Sequence, residues 1–306
     1  MKEKIVVICG PTASGKTHVA VALAKIIGAE IVSADSIMVY KELNIGSAKP
    51  TPEEMGGIKH HLIDILSVNS APFCVAEYVI SADTCVRDIL SRNKRVIICG
   101  GTGLYIDHFM NNTQFSEHEP DIGYRKELEA LPAAELHKML AETDAECAEA
   151  IHPNNKKRVI RALEIYKTTG KTKSELDRLA YSAEPKYDFI KFALNFSDRG
   201  ALYAKIDARA DAMMRGGLLD EVRGLHERGE ERNIRRIGAI GYVELLDCLS
   251  GRLSLDEAVR DIKQHTRNYA KRQLTWFKRE DAVWVEAGEG ALNKIIKIIK
   301  NGIMQL

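Results

Sequence analysis

Short apolar runs alternate with helical patterns along most of this 306-residue chain. Five runs have the length and composition of buried strands, since a parallel sheet that is covered on both faces is built from near-continuous apolar stretches. They occupy residues 5–8, 30–33, 96–99, 189–196 and 283–285. Helical periodicity fills the intervals, as in residues 18–27. The pattern predicts an α/β fold whose core is a P-loop-type parallel sheet covered by helices.

One long interval of the chain contains helical patterns only. Between residues 111 and 186 we find no strand pattern, and five short helices are predicted at 123–130, 133–142, 144–150, 155–168 and 172–179. Thr172 and Glu175 have the spacing of a capping box at the start of the last one. We therefore predict two domains. A catalytic core comprises residues 1–112 and 187–306, and an all-helical insertion comprises residues 113–186.

The first apolar run leads directly into a glycine-rich loop. Residues 10–17 match the G-x-x-x-x-G-K-[ST] phosphate-binding loop, in the strand–loop–helix context that this motif requires. Backbone N–H groups and a helix N-terminus then face the phosphate, Lys16 adds positive charge, and the Thr17 hydroxyl binds Mg²⁺. We prefer this interpretation to a glycine-rich turn with a chance lysine. A diphosphate or triphosphate, with Mg²⁺ as cofactor, is expected to bind to Gly10, Pro11, Thr12, Ala13, Ser14, Gly15, Lys16 and Thr17.

The ends of the other predicted strands indicate which polar groups lie near this loop. ATPases and GTPases of this class have an Asp at the end of a second strand, but the run 96–99 leads into Gly100, Gly101 and Thr102. Asp35 instead follows the run 30–33, and the carboxyl ends of neighbouring parallel strands border one crevice. We expect Asp35 near the phosphates, beside Thr102. It is either a general base or Mg²⁺ ligand or the N-cap of the next segment.

Composition restricts the class of protein further. The chain is 45% hydrophobic and 28% charged, an ordinary balance for a globular protein. We expect no signal peptide before the first strand, and no apolar run approaches the ~18 residues of a membrane span. The six cysteines are scattered without a C-x-x-C pair, which favours reduced thiols over disulfides or a zinc site. We expect a cytoplasmic monomer with no membrane partner.

Basic residues are concentrated in three places, although the net charge is only +1. The clusters lie at 156–161, at 232–236 and along 267–279. Any one cluster is usually the solvated face of a helix, but three of them in a nearly neutral protein favour a groove for a polyanion such as a nucleic acid.

Seven motifs, in order along the chain, resemble those of the tRNA dimethylallyltransferase family. They lie at 10–17, 33–40, 46–50, 61–64, 100–105, 240–244 and 266–277. The resemblance implies transfer of a dimethylallyl group from dimethylallyl diphosphate to N6 of the adenosine 3′-adjacent to the tRNA anticodon (position 37), with release of diphosphate. In that family the phosphate loop holds the leaving diphosphate. No strand-end acid is then needed to direct water at phosphorus.

The resemblance also implies roles for individual residues. Asp35 accepts the N6 proton, Thr102 helps to hold the base, and Arg209 is directed at the diphosphate. The alternative for Arg209 is an ordinary surface arginine of a helix. The target base must leave its stack in the anticodon stem-loop, at a cost on the order of a few kcal/mol. The residues implied to contact tRNA are Asp35, Ser36, Ile37, Met38, Thr102, Arg125, Lys157, Arg158, Val159, Ile160 and Arg161. Roles for Arg235 and Arg236 stay open.

Other functions are compatible with the phosphate loop. A small-molecule kinase would use Asp35 as the base for an acceptor hydroxyl, but the basic clusters would then have no purpose. An enzyme that prenylates free adenine nucleotides meets the same difficulty. A non-enzymatic RNA-binding module with a nucleotide switch would bind tRNA without modifying it.

Overall fold

The computed structural model describes residues 2–115, 121–279 and 281–300. Its strands are β1 (Lys4–Cys9), β2 (Ala29–Ser33), β3 (His60–His61), β4 (Arg95–Gly100), β5 (Asp188–Asn195) and β6 (Val283–Glu286). All pairs are parallel, and the strand order is β3-β2-β4-β1-β5-β6. The predicted α/β fold is confirmed. The sequence does not predict β3, because two residues are too few to produce an apolar run.

The chain divides into two compact units, made of residues Met1–Met110 with Lys186–Leu306 and of residues Asn111–Pro185. Helices of the first unit are α1 (Lys16–Ile27), α2 (Pro52–Met55), α3 (Val75–Ser91), α4 (Gly103–Met110), α10 (Arg199–Arg215), α11 (Leu218–Glu227), α12 (Glu231–Ile237), α13 (Tyr242–Leu249), α14 (Leu255–Phe277) and α15 (Ala291–Ile298). Those of the second are α5 (Ile122–Ala130), α6 (Ala133–Thr143), α7 (Ala145–Ala150), α8 (Lys156–Thr169) and α9 (Lys173–Ala180).

Alternate side chains of β1 enter two hydrophobic cores, one on each face of the sheet. Ile5 and Val7 belong to a core that also receives side chains of α3 and α4. Val6 and Ile8 belong to another, which also receives side chains of α1 and α15. All four are fully buried, and such burial stabilises the fold by roughly 1.5–3 kcal/mol per Val or Ile. The central strand is therefore held rigidly beneath the loop that follows it.

Helix α14 connects two hydrophobic cores of the first unit. It begins with a capping box, in which Ser254 and Glu257 each accept a backbone hydrogen bond from the other. Ile262 packs into a core formed with α11 and α13, whereas Phe277 packs into the core beneath α3 and α4. The residues between these two anchors, Tyr269 and Gln273 among them, are thereby placed along the edge of the sheet where the strands end.

The second unit has its own small core. In its described residues it is built of helices without strands, and its boundaries lie within two residues of those predicted for the insertion. Leu136 and Leu140 of α6 pack against Val159 and Leu163 of α8, all of them buried. The predicted capping box at Thr172 is present and starts α9.

No helix within the described ranges combines the length and the apolar character needed to cross a bilayer.

Candidate functional site

Three neighbouring strands end at one edge of the sheet, and several of the predicted site residues line one cavity there. β2, β4 and β1 lie side by side in that order, so the segments that follow Ser33, Gly100 and Cys9 meet there. The cavity has a volume of about 890 Å³ and is lined by Lys16, Thr17, Asp35 and Arg209 among other residues. Its size suits a small organic ligand.

Glycines allow the phosphate loop to pass close to other backbone segments. Gly10 has a φ of +142°, and a Cβ there would lie 2.4 Å from the carbonyl oxygen of Leu194, so no other residue fits without distortion. Gly15 has a φ of +80° and precedes the first turn of α1. The Ser14 hydroxyl donates to the Pro11 carbonyl at 2.8 Å. The loop is thus shaped before any ligand binds.

Two cations, Lys16 and Arg209, converge on this loop. Lys16 Nζ donates to the Pro11 carbonyl at 2.6 Å, and Arg209 Nη1 donates to the Thr12 hydroxyl at 3.3 Å. Burial lowers the pKa of Lys16 to about 8, and the charge of Arg209 contributes to that shift. Burial also lowers the pKa of Arg209. Among the described residues neither cation forms an ion pair, which makes the loop a site for an anion.

Asp35 begins the turn that follows β2, and its geometry is compatible with both an N-cap and a general base. Its Oδ1 accepts hydrogen bonds from the backbone N–H groups of Ile37 at 2.9 Å and Met38 at 3.2 Å. Oδ2 has no hydrogen-bond partner in the described part of the chain. One carboxylate oxygen therefore caps the segment, as expected for an N-cap, while the other is left to accept a proton.

Thr102 is tied to the same segment from the neighbouring strand. Its N–H donates to the Ala34 carbonyl at 3.0 Å, and its hydroxyl oxygen accepts from the Ser36 N–H at 3.2 Å. Burial raises the pKa of Tyr269, and a hydrogen bond from the Thr102 side chain opposes that shift, so the Thr102 hydroxyl contacts Tyr269 as well as Ser36. A Cβ on Gly100 would lie 2.1 Å from the Ala34 carbonyl oxygen, which explains the glycine before this loop.

The oxygen donors at the cavity fit Mg²⁺. The structure brings the Thr17 hydroxyl and the Asp35 carboxylate to the same cavity, and Mg²⁺ in proteins commonly uses one or two such oxygens together with waters and substrate phosphates. Within the described residues no group of three or more His, Cys, Asp or Glu side chains is arranged to hold a metal. The described residues therefore contain no metal site built from these side chains alone.

The structure adds site residues that the sequence indicates only through the motif at 266–277. Tyr269, Arg272 and Gln273 of α14 line the cavity. Burial raises the pKa of Tyr269, so its hydroxyl stays protonated at neutral pH. Gln273 is buried and makes hydrogen bonds to two different loops. Nothing in the periodicity of α14 separates Gln273 from a surface residue, because its partners lie more than 170 positions away in sequence.

The loop before α13 forms another wall of the cavity. Ile240 and Gly241 line it, and the Gly241 N–H donates to Glu244 Oε2 at 2.7 Å. The other oxygen of buried Glu244 lies 2.6 Å from His265 Nδ1. These contacts explain the Ile240–Glu244 motif, since the Glu244 carboxylate fixes the backbone of the loop at Gly241.

Arg235 and Arg236, whose roles the sequence leaves open, contact other parts of the first unit. Arg235 forms ion pairs with Glu231 at 2.9 Å and Asp247 at 2.7 Å. Arg236 donates to the carbonyls of Val68 and Ser70. Both arginines therefore hold α12 against its neighbours.

In the second unit, the residues predicted to contact tRNA differ in exposure. Lys157 and Arg158 at the start of α8 are exposed, whereas the side chains of Val159 and Ile160 are buried in the core of the unit. A polyanion can reach the first pair of side chains but not the second. The helical period explains this, since residues two positions apart lie on nearly opposite faces of a helix.

Arg125 is held by a buried glutamate of the same unit. Its guanidinium makes two hydrogen bonds to Glu164, at 2.6 and 2.5 Å, and Arg161 Nη1 lies 3.8 Å from the same carboxylate. The hydrogen bonds to Glu164 raise the pKa of Arg125. Both arginines remain partly exposed, so each combines a structural contact with an accessible positive edge.

Comparison with known sequences identifies relatives over the full length of the chain. The profile of the family described as IPP transferase matches residues 38–280. The tRNA dimethylallyltransferase of Bacillus mycoides (strain KBAB4) is 45% identical and aligns with 100% of this chain and 96% of its own length. That of Geobacillus thermodenitrificans (strain NG80-2) is 46% identical, over 92% of this chain and 89% of its own.

Solved structures resemble the chain equally broadly. The full-length tRNA isopentenylpyrophosphate transferase from Bacillus halodurans is 40% identical, with a TM-score of 0.73, and the alignment covers 99% of this chain and 96% of the other. A eukaryotic dimethylallyltransferase, described as acting on tRNA, is 26% identical with a TM-score of 0.85. That alignment covers 99% of this chain and 81% of the other.

Proposed function

This chain belongs to the IPP transferase family, and on that premise we propose that it transfers a dimethylallyl group from dimethylallyl diphosphate to N6 of the adenosine 3′-adjacent to the anticodon of tRNA (position 37), releasing diphosphate. One observation carries the donor half of the proposal. Lys16 and Arg209 meet at a preformed glycine loop, with no ion-pair partner among the described residues. A diphosphate supplies the missing negative charge.

The phosphate loop stabilises the group that leaves. As the bond between the allylic carbon and the diphosphate oxygen breaks, both bonding electrons go to that oxygen and its negative charge increases. In this proposal the N-terminus of α1, together with Lys16 and Arg209, faces this charge, and fixed donors of this kind are usually the largest contribution to catalysis. Thr17 is the residue that would hold Mg²⁺ through its hydroxyl, and the ion would supply further charge neutralisation when bound.

Asp35 and Thr102 act on the acceptor. The adenosine N6 attacks the allylic carbon, a C–N bond forms, and N6 loses one proton. Asp35 Oδ2 accepts that proton, because Oδ1 already holds the backbone of Ile37 and Met38. The Thr102 hydroxyl, anchored through Ser36, donates to the base and orients it.

The nucleic acid binds through its phosphates and through the extruded base. Exposed Lys157 and Arg158 provide positive charge in the second unit, which is suited to the backbone of the anticodon stem-loop. In the first unit, Ser36, Ile37 and Met38 form the strip beside Asp35 that receives the base. Extrusion costs a few kcal/mol, and contacts of this kind offset it.

A cytoplasmic location accords with this substrate and with the chemistry of the cysteines. All six of them are free thiols, as is usual in a reducing compartment. We propose that the protein acts there as a monomer. Light scattering of the purified protein tests the second point, and a mass of about twice 34.1 kDa would contradict it.

The experiment that tests the function compares two labelled donors. Purified protein with Mg²⁺ is incubated with radiolabelled dimethylallyl diphosphate and unmodified tRNA, and in parallel with γ-labelled ATP and a mixture of small acceptors. We expect label in the tRNA from the first donor and no transfer from the second. Phosphorylation of a small molecule, without label in the tRNA, would instead identify a kinase.

A further inference from the structure

The buried side chain of Gln273 joins two loops that come from different strands. Its Oε1 accepts a hydrogen bond from the Thr12 N–H at 2.8 Å, and its Nε2 donates to the Gly101 carbonyl at 2.8 Å. The residue is only 5% exposed. Thr12 follows β1 and Gly101 follows β4, so α14 connects both loops through one amide group.

The amide of Gln273 is suited to making both bonds at this position. The Thr12 N–H needs an acceptor and the Gly101 carbonyl needs a donor, and glutamine carries one of each at the end of a single side chain. Glutamate supplies acceptors only, and methionine supplies neither of the two. The fit is also tight, because a Cβ on Gly101 would lie 2.3 Å from Gln273 Nε2.

The two joined loops serve the two halves of the reaction. Thr12 lies in the phosphate loop and receives a hydrogen bond from Arg209. Gly101 directly precedes Thr102, which is bonded to Ser36 of the acceptor strip. A shift of either loop relative to the other therefore changes the distance between a diphosphate on the phosphate loop and a base at Thr102.

We infer, on the basis of the proposed function, that Gln273 is a positioning residue that fixes the phosphate loop and the Thr102 loop at the separation required for attack on the allylic carbon. Attack requires the reacting atoms to be about 3–3.5 Å apart, and a misplacement of about 1 Å can lower the rate on the order of 10²-fold. Gln273 touches neither substrate in this role and acts through the two loops.

Substitution of Gln273 by methionine tests the inference, since it keeps length and removes both hydrogen bonds. We expect Gln273→Met to lower the single-turnover rate of prenyl transfer by roughly 10- to 100-fold. The Kd for dimethylallyl diphosphate, measured by calorimetry, should stay within about threefold, because the cations and N–H groups of the loop remain. The matched control is Gln264→Met, which changes an exposed glutamine of the same helix and should leave both values unchanged.

Two further variants keep the test decisive if Gln273→Met does not fold. Gln273→Glu retains the acceptor for Thr12 and loses the donor for Gly101, and Gly101→Ala displaces the amide from the other side. Both should lower the rate and spare the Kd, whereas Gly224→Ala, at an open position of α11, should change neither. A normal rate in the folded variants, or a rate loss fully explained by a weaker Kd, would overturn the inference.

The coupling also has a readout that does not depend on prenyl transfer. Hydrogen exchange at residues 101–105 is followed while inorganic diphosphate binds to the phosphate loop. We expect diphosphate to slow exchange at these residues in the wild-type protein and to leave their exchange rate unchanged in Gln273→Met. Equal slowing in both proteins would refute the coupling, whereas absence of prenyl transfer by the wild-type protein would refute the proposed function alone.

Discussion

Arg209 Nη1 donates to the Thr12 hydroxyl at 3.3 Å, so a cation carried by α10 is placed over a loop that follows β1. The two residues are 197 positions apart in sequence. Lys16 reaches the same loop from α1 and is likewise without an ion-pair partner in the described ranges. This meeting of two cations at one backbone loop is the basis of the proposed donor site.

Removal of the Lys16 charge should weaken donor binding while leaving the fold intact. Lys16→Met is expected to weaken the Kd for dimethylallyl diphosphate by roughly 10²-fold, about the 1.5–3 kcal/mol of a hydrogen bond to a charged group. It should not lower the melting temperature, because Lys16 is a half-buried cation without an ion-pair partner among the described residues. Lys25→Met, at an exposed position of the same helix, is the control. A Kd within threefold of wild type would place the diphosphate elsewhere.

The lowered pKa of Lys16 predicts a pH dependence of donor binding. Its ordinary pKa of 10.5 falls to about 8 through burial, so Lys16 loses its charge as pH rises through 8. The Kd should therefore increase between about pH 7 and 9 in the wild-type protein and not in Lys16→Met. The free energy of unfolding should increase as pH rises from about 8 to 10.5, because the cost of burying the charged form of Lys16 disappears over that range. Calorimetric titrations across this range provide the check.

Substitution of Asp35 by asparagine separates its two roles. The Oδ1 of asparagine can still accept from the N–H groups of Ile37 and Met38, so the turn should persist, while the proton acceptor is lost. We expect Asp35→Asn to bind donor and tRNA normally and to react 10²–10⁴-fold more slowly. Asp35→Ala should in addition lose about 1 kcal/mol of stability with the cap. A near-normal rate for Asp35→Asn would leave capping as the function of this residue.

Salt should affect the two substrates unequally. Binding of tRNA releases many counterions and binding of the donor few, so raising salt should weaken the former far more. Lys157→Ala combined with Arg158→Ala is expected to weaken tRNA binding and lower its salt slope by roughly one to two units. Lys138→Ala, at an exposed position of α6, should leave the slope unchanged, as filter-binding titrations can show. An unchanged slope in the double variant would exclude this face from the RNA contact.

Local sequence predicts the fold and the strand-end residues because each depends on neighbours in the chain. The apolar runs place β1, β2 and β4, and the glycine pattern defines the phosphate loop. The hydrogen bonds of Asp35 are also local, since they reach only two and three residues ahead.

The long-range contacts of the site depend on folding and not on local pattern. Local sequence does not distinguish Arg209 from other helix arginines, because its contact with Thr12 forms only in the folded chain. Local sequence likewise does not distinguish Gln273 from a surface residue of α14, because its contacts with Thr12 and Gly101 form only once β1 and β4 are in place. Val159 and Ile160 are predicted to contact tRNA together with their neighbours Lys157 and Arg158, but their side chains are buried in the folded unit.

Transfer of a prenyl group to one nucleoside of tRNA can be observed in the modified tRNA itself. Unmodified tRNA with adenosine 3′ to the anticodon is incubated with the protein, Mg²⁺ and dimethylallyl diphosphate, then digested with nuclease, and the anticodon-loop fragment is sequenced by mass spectrometry. We expect N6-dimethylallyladenosine at that position and no modification when guanosine replaces the adenosine. Recovery of only unmodified adenosine, with the donor intact, would contradict the proposed function.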